Sequence, residues 1–379
     1  MKKIIRACTA SRSVGFVTGL IPGLKERGYE VVLVSSPGVE LDKATQDYEV
    51  KGFSVSMERR ISLFKDVKSL FNLIRLFKKE RPDVVHSMTP KAGLLCMMAA
   101  WMVRTPIRIH TFTGLVFPTS KGLKKRILML TDRLTCSCAT HIIPEGEGVK
   151  NDLLNHHITK KDMHVLGYGN VMGVDMEKFS LREEVKTIVQ AIIKKDVFTF
   201  LFVGRIVRDK GINELILAMN QMLAKYHDVR LILVGDFEDS LNPISEETRK
   251  LIQKYAEIET VGVKRGDELI AYYAAADCFV FPSYREGFPN TVLEAGAMGL
   301  PSIVTNINGS REIIEEGKNG LIVPARDVNS LYDAMETMFL EKDGKTKEMA
   351  SHARKMIADR FEQGFVRLCL YDFYKEIGS

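Results

Sequence analysis

The chain has 379 residues, 45% of them hydrophobic and 27% charged, with 54 Lys and Arg against 48 Asp and Glu. That length exceeds one ordinary core and predicts two domains of about 150 to 200 residues. The sequence excludes a membrane span, since no stretch approaches the roughly 18 apolar residues one needs, and it gives no finger-like Cys/His spacing for a structural zinc.

In chain order, the opening MKKIIRACTA has an apolar run too short and interrupted for a signal peptide and reads as a first strand. Further runs rich in Val, Ile and Phe are EVVLVSS, DVVHS, IRIHTF and THIIP in the first half. FTFLFVG, VRLILVG, CFVFPS, PSIVT and GLIVP follow in the second. Helical periodicity lies between them at 15–27, 65–80, 91–103, 211–225 and 245–256. This alternation predicts an α/β protein with parallel sheets covered by helices on both faces, which is why the strands read as unbroken apolar runs. The rhythm lapses over 156–185, where the chain turns polar and glycine-bearing. A hinge near 168–180 would divide two Rossmann-like domains, 1–170 and 171–361, with a cleft between them, and the last helix, 362–379, would pack on the first. Cys8, Cys96, Cys136, Cys138, Cys278 and Cys369 read as free, mostly buried thiols.

Ligands of open α/β sheets collect at the carboxyl ends of strands. FTFLFVG is followed by Arg205 and Lys210 and then a helical pattern. A lysine at a helix start opposes the macrodipole by about 0.3–1 kcal/mol unless an anion is present. The pair therefore reads either as a phosphate grip or as two solvated residues on an exposed loop. CFVFPS is followed by REGFPNTVLEAGAMGLP. Here Thr291 and Glu294 fit the capping box S/T-x-x-E, a purely structural alternative for Glu294. Glu286 precedes the helix in a turn that Gly287 keeps open, beside backbone N–H groups suited to phosphate oxygens. A carboxylate beside a phosphate site is favourable where hydroxyls donate to it, as sugars do. The two loops together offer cations, a helix N-terminus and hydroxyl acceptors, a set that a nucleotide-diphosphate sugar would use in full.

Glu286-Gly-Phe-Pro-Asn-Thr-Val-Leu-Glu294 resembles the E-x7-E motif of retaining GT-B glycosyltransferases of family 4, as do the flanks Ala276-Asp277, Phe281-Pro282-Ser283 and Ala295 to Pro301. Gly204-Arg205 and Lys210-Gly211 are similar to that family's diphosphate-binding pair. Gly173-Val174-Asp175 with Phe179 resembles its entry into the second domain, and Gly317 to Pro324 its G-x-x-G-x-x-V-P segment. His86 to Lys91 and His110 to Gly114 look closest to the bacterial capsule and O-antigen branch. The resemblance implies a GT-B fold, two Rossmann-like domains whose parallel sheets face each other across a cleft. It implies that Arg205 and Lys210 hold the diphosphate, Glu294 the ribose hydroxyls and Glu286 the donor sugar. Gly287, Phe288, Pro289, Asn290 and Thr291 would face sugar and β-phosphate through the backbone, and the base would lie near Val263 and Lys264. On the acceptor side it implies Ser13, Gly15, Lys91, Thr113 and Gly114.

The first half departs from the family pattern. Where relatives carry a histidine immediately before the glycine at Gly114, this chain has Thr113, and His110 lies three residues earlier; His110 reads equally as a donor-facing residue and as a strand-end histidine with a satisfied ring. The loop Thr9 to Gly15 lacks the usual glycine pair. No D-x-D occurs, so neither a metal nor any cofactor is expected, and Arg205, Lys210 and the helix dipole would neutralise the leaving group. Retaining transfer without a covalent nucleophile is implied, with UDP preferred over GDP.

Residues 1–172 hold 27 Lys and Arg against 15 Asp and Glu, the remainder 27 against 33. A basic first half suggests an anionic partner. Residues 59–79 set apolar side chains at 63, 67, 70, 74 and 77 with Lys and Arg opposite, and 121–130 form a second basic cluster. The first pattern also suits a Rossmann helix packing inward. Both together favour an anionic membrane surface, a cytoplasmic protein peripheral on the inner face of the membrane, and a polyprenyl-diphosphate-linked or saccharide acceptor in surface-polysaccharide synthesis. Nucleic acid is disfavoured, because no basic stripe interleaves with stacking aromatics. The rivals are a nucleotide-sugar epimerase of the same fold and a non-catalytic scaffold of a polysaccharide-assembly complex.

Overall fold

The computed structural model describes residues 1–58, 62–239 and 242–378. It divides into two compact units, Met1–Met172 with the chain from Gly364 onward, and Gly173–Gln363. The first runs β1 (Lys2–Ala7), α1 (Gly15–Thr18), α2 (Ile21–Glu26), β2 (Tyr29–Ser35), α3 (Val39–Asp47), β3 (Lys51–Ser54), α4 (Leu63–Glu80), β4 (Val84–Met88), α5 (Pro90–Met102), β5 (Ile107–Phe112), α6 (Gly122–Cys138), β6 (His141–Pro144) and α7 (Glu147–Asn155). The second runs α8 (Glu183–Ile192), β7 (Phe198–Val203), α9 (Ile212–Lys225), β8 (Val229–Val234), α10 (Glu246–Lys254), β9 (Ile258–Thr260), α11 (Gly266–Ala274), β10 (Cys278–Phe281), α12 (Asn290–Ala297), β11 (Ser302–Thr305), α13 (Ser310–Ile313), β12 (Gly320–Val323), α14 (Val328–Leu340) and α15 (Lys345–Phe361). The closing helix α16 (Gln363–Glu376) buries Leu370, Phe373 and Tyr374 in the first unit, where the Arg6 guanidinium donates to the Tyr374 hydroxyl at 2.6 Å.

Each unit holds a six-stranded sheet, ordered β3-β2-β1-β4-β5-β6 and β12-β11-β10-β7-β8-β9, with every neighbour parallel. Both sheets are doubly wound. The chain starts at a central strand, β1 or β7, proceeds to one edge, then returns to the other side of that strand at β4 or β10. Such a reversal opens a crevice at the carboxyl ends of the two central strands. All six residues of β7 and of β8 are buried, because helices cover both faces.

Two strands lie outside the runs expected from sequence. β3 and β9 are edge strands of four and three residues in which Ile258 alone is buried, so no apolar run marks them. The expected helix over 15–27 is two helices, since the chain pauses at Gly19 and Leu20 and Pro22 opens α2. No helix or strand lies between Asn155 and Glu183, which matches the lapse read at 156–185.

α4 corrects part of the apolar stripe read over 59–79. Residues 59–61 lie outside the described residues. Within α4, Ser69, Leu73 and Phe77 are buried and Leu70 and Ile74 pack against the core, so positions 70, 74 and 77 face inward as expected, while Leu63 and Val67 of the stripe are exposed, together with Phe64 and Phe71. No disulfide forms among the described residues, and five of the six cysteines are buried. No described helix is long and apolar enough to cross a membrane.

Candidate active site

In the second unit the sheet reverses between β7 and β10, so the loops after these two strands share the crevice. Gly211 lets them touch. It sits at φ +73°, and a Cβ there would lie 2.0 Å from the Pro282 carbonyl oxygen, so any other residue would push the loops apart. Tyr284 N–H donates across to the Asp209 carbonyl at 2.9 Å. The result brings Lys210 against Glu286, with the ammonium on Oε1 and both side chains less than a fifth exposed. The Ser283 hydroxyl donates to that same carboxylate oxygen at 2.6 Å. Ser283 is fully buried, and its carbonyl accepts from the Thr305 hydroxyl.

Lys210 is not on the helix. It ends a short 3-10 turn, Gly211 caps α9, and the Glu286 carboxylate offsets the opposed macrodipole. Arg205 turns elsewhere, its guanidinium pairing with Glu238 on the loop after β8. Both cations are held by carboxylates rather than set side by side.

The capping-box alternative for Glu294 fails on geometry. α12 begins at Asn290 with Pro289 as its unassisted N-cap, so Thr291 lies inside the first turn and cannot cap it. Glu294 follows in the next turn. Its Oε2 accepts from the Tyr273 hydroxyl of α11 at 2.8 Å. Tyr273 is fully buried, with Phe279 and Phe179 against its ring at 5.8 and 6.3 Å. Burial pushes the Glu294 carboxyl up to about 7, against the lowering effect of the Tyr273 hydrogen bond and of Lys178. Part of the Glu294 side chain stays accessible. A partly open carboxyl, desolvated and fixed through one oxygen, suits the reception of hydroxyl donors.

The backbone between the glutamates departs from expectation at Pro289. Pro289 has no N–H to offer. The Phe288 ring packs into the core against Phe361 at 5.4 Å, leaving its main chain at the loop. Gly309 closes over Gly287 and Phe288; a Cβ on it would meet the Gly287 carbonyl oxygen at 2.3 Å. Thr291 and Asn290 open the helix. Val263 is exposed and Lys264 lies 5.9 Å over the Tyr272 ring, both on the loop between β9 and α11.

In the first unit the reversal falls between β1 and β4. Ser13 lies in the turn after β1 and Gly15 opens α1, where a Cβ on Gly15 would meet nothing within 4 Å. That loop is tied to the one after β4 by the Thr9 and Thr89 hydroxyls at 2.7 Å. Lys91, at the start of α5, is bound to Asp66 of α4 with both side chains nearly buried. Thr113 and Gly114 follow β5, with Gly114 at φ +118°. His110 is inside β5 rather than at its end. It is 1% exposed, Nδ1 lies 2.9 Å from the Ser87 hydroxyl and 3.1 Å from its carbonyl, and α5 crosses it at Gly93, where a Cβ would sit 2.3 Å from the ring. Burial lowers its pKa to about 3, so the imidazole is neutral and its ring satisfied.

The sequence assigns no role to Ser283, which stands only in a flank of the motif, or to Tyr273, yet each fixes one oxygen of one glutamate. Ser283 had a visible signal, a hydroxyl at the carboxyl end of a strand beside Glu286. Tyr273 had none, because it meets Glu294 across 21 positions through the packing of two helices.

Residues 185–356 match the family model described as glycosyl transferases group 1, and residues 15–169 match a glycosyl transferase 4-like domain. The chain is 35% identical over 367 residues, 96% of its own length and 94% of the other's, to the capsular polysaccharide biosynthesis glycosyltransferase CapM of Staphylococcus aureus. It is 29% identical over 327 residues, 83% of its length and 81% of the other's, to the UDP-Gal:alpha-D-GlcNAc-diphosphoundecaprenol alpha-1,3-galactosyltransferase of Escherichia coli. The Anabaena protein HepE, solved with UDP and glucose, superposes with a TM-score of 0.81 at 17% identity, covering 99% of this chain and all of that one, which shows a shared GT-B fold.

Proposed function

The chain belongs to the group 1 glycosyltransferases, and on that premise we propose that it transfers a sugar from a UDP-sugar to a lipid-linked or saccharide acceptor with retention and without a metal. One observation carries the reading: the loops after β7 and β10 meet at the point of sheet reversal, with Lys210 on Glu286 beside the start of α12. In the proposed complex the diphosphate draws Lys210 from Glu286 and Arg205 from Glu238, and the N–H groups at the start of α12 add their dipoles. Glu286, freed of the ammonium but still held by Ser283, accepts hydroxyls of the sugar. Glu294 accepts the ribose hydroxyls, and the base lies by Val263 and Lys264. Acceptor oxygen then bonds to the anomeric carbon on the face from which the diphosphate departs, and the acceptor proton passes to a diphosphate oxygen. Metal independence rests on the absence of a D-x-D sequence. Its support for UDP is that HepE was solved with UDP and that the E. coli relative is named for UDP-Gal. The reading of a lipid-linked acceptor and of peripheral attachment to an anionic membrane is supported by the diphosphoundecaprenol in that relative's name and by the basic first half.

Thermal shift against UDP, GDP and their sugars, with and without magnesium, tests donor binding. A ligand at a hundred times its Kd adds about 2.7 kcal/mol. UDP compounds are expected to stabilise the protein without magnesium, and silence across the panel refutes the reading. Incubation of a UDP-sugar without acceptor separates transfer from epimerisation, which alone yields product there.

A further inference from the structure

We propose that the layer formed by α4, α5 and α6 is a membrane-docking face whose occupant is an anionic lipid surface. The inference deepens the lipid-linked acceptor reading above. α5 lies between α4 and α6 and contacts both. Its inner residues are buried, while Trp101 and Met102 at its end are exposed. α6 presents Leu123, Ile127, Leu130 and Leu134, a spacing of four, three and four that sets them in one stripe along the helix. Leu123 is 72% and Leu130 63% exposed. α4 adds Leu63, Phe64, Val67 and Phe71, with Phe64 94% exposed. Ten large apolar side chains on three adjacent helices form more than the scattered exposure any soluble surface shows.

The charges around them choose the occupant. α4, α5 and α6 together hold ten Lys and Arg against three Asp and Glu. Lys65, Lys68 and Arg75 flank the α4 stripe, and Lys121, Lys124 and Arg126 the start of the α6 stripe, all of them exposed. A second copy of this face would bring these cations together, which opposes self-association. Anionic headgroups meet them, and the leucines and phenylalanines enter the boundary with the acyl chains; each cation near the surface adds its own attraction, and this combination makes helices lie in an interface.

The full chain is sedimented with vesicles of phosphatidylcholine alone and of phosphatidylcholine with phosphatidylglycerol. Binding to the anionic vesicles, weakened by salt, is expected. Leu123→Ser with Leu130→Ser and Leu134→Ser should lower partitioning about tenfold or more. Lys121→Gln with Lys124→Gln and Arg126→Gln, all at exposed positions, should remove the preference for anionic vesicles. Melting temperature checks that each variant is folded. Wild type left in solution with anionic vesicles, or variants that sediment as wild type does, would overturn the proposal. So would light scattering that shows a dimer which the leucine variant converts to monomer, for then a second copy covers the face. Vesicle binding without any response to nucleotide sugars would sink the catalytic reading and leave this one standing.

Discussion

Tyr273→Phe removes one oxygen from a fully buried side chain and leaves the ring between Phe279 and Phe179. What it deletes is the 2.8 Å hydrogen bond to Glu294, whose carboxyl already sits at about 7 through burial, with that bond holding it lower. A hydrogen bond to a charged group contributes about 1.5–3 kcal/mol, and one pKa unit is worth about 1.4 kcal/mol. The variant's Glu294 should therefore ionise about one unit or more higher. An ionised carboxylate accepts both ribose hydroxyls more strongly than a neutral one. Titration calorimetry with UDP from pH 6 to 9 (roughly one unit either side of the range set by these shifts) should show wild-type affinity rising through the region near 7. The rise should move upward in Tyr273→Phe, with affinity at neutral pH down about tenfold. The turnover number at saturating donor should change little, because the ribose is remote from the reacting carbon. A merely structural Tyr273 would lower stability and leave the pH midpoint in place, and that outcome would refute the reasoning.

Lys210→Ala should abolish the thermal shift given by UDP, read by differential scanning fluorimetry. Glu286→Ala should reduce turnover sharply without weakening plain UDP, since its proposed partners are on the sugar; a matching loss of UDP affinity by calorimetry would contradict that role. Ser283→Ala should share the turnover defect in milder form, about one to two orders of magnitude in kcat, because Glu286 keeps its charge but loses its orientation. Glu294→Gln tests linkage. The folded-state pKa of about 7 lies above the ordinary 4.5, so wild type loses stability as pH rises from about 4.5 to 7 while the unfolded chain ionises first. Discounted for partial exposure, that loss is about 2 kcal/mol, and urea denaturation across this range should find it absent from the glutamine variant.

The sequence made the α/β alternation plain because buried parallel strands leave apolar runs, and β7 and β8 are buried at every position. β3 and β9 escaped since an edge strand can be short and exposed, and polar residues carry no periodic mark there. The stripe over 59–79 was legible in its second half, where 70, 74 and 77 face the core, but not in its first: apolar residues lie on two sides of α4, and periodicity alone cannot tell that Leu63 and Val67 stay outside. At the site, Glu286 and Lys210 announced themselves by residue type and by their place after apolar runs. The ion pair between them did not, because it depends on which two strands become neighbours, and β7 and β10 are three strands apart in the chain.

That pairing bears on how the site would work. Lys210 and Glu286 neutralise each other with less than a fifth of either side chain exposed, so neither charge is left unpaired in a poorly hydrated crevice. A diphosphate supplies a stronger anion for the lysine, and hydroxyls of a sugar supply donors for the glutamate. Either moiety alone would strand one member of the pair. On the proposed reading the cost of separating them would be offset in full only by a ligand carrying both, and the pair would act as a check for an intact nucleotide sugar. UDP alone should then bind with a smaller gain than a UDP-sugar, and Glu286→Gln, which leaves Lys210 without a competing carboxylate, should narrow the difference by raising affinity for UDP. Calorimetry on the two ligands and two proteins gives the coupling directly as a double-difference. A difference between the ligands that is the same in both proteins would show that the ion pair has no part in selecting the donor.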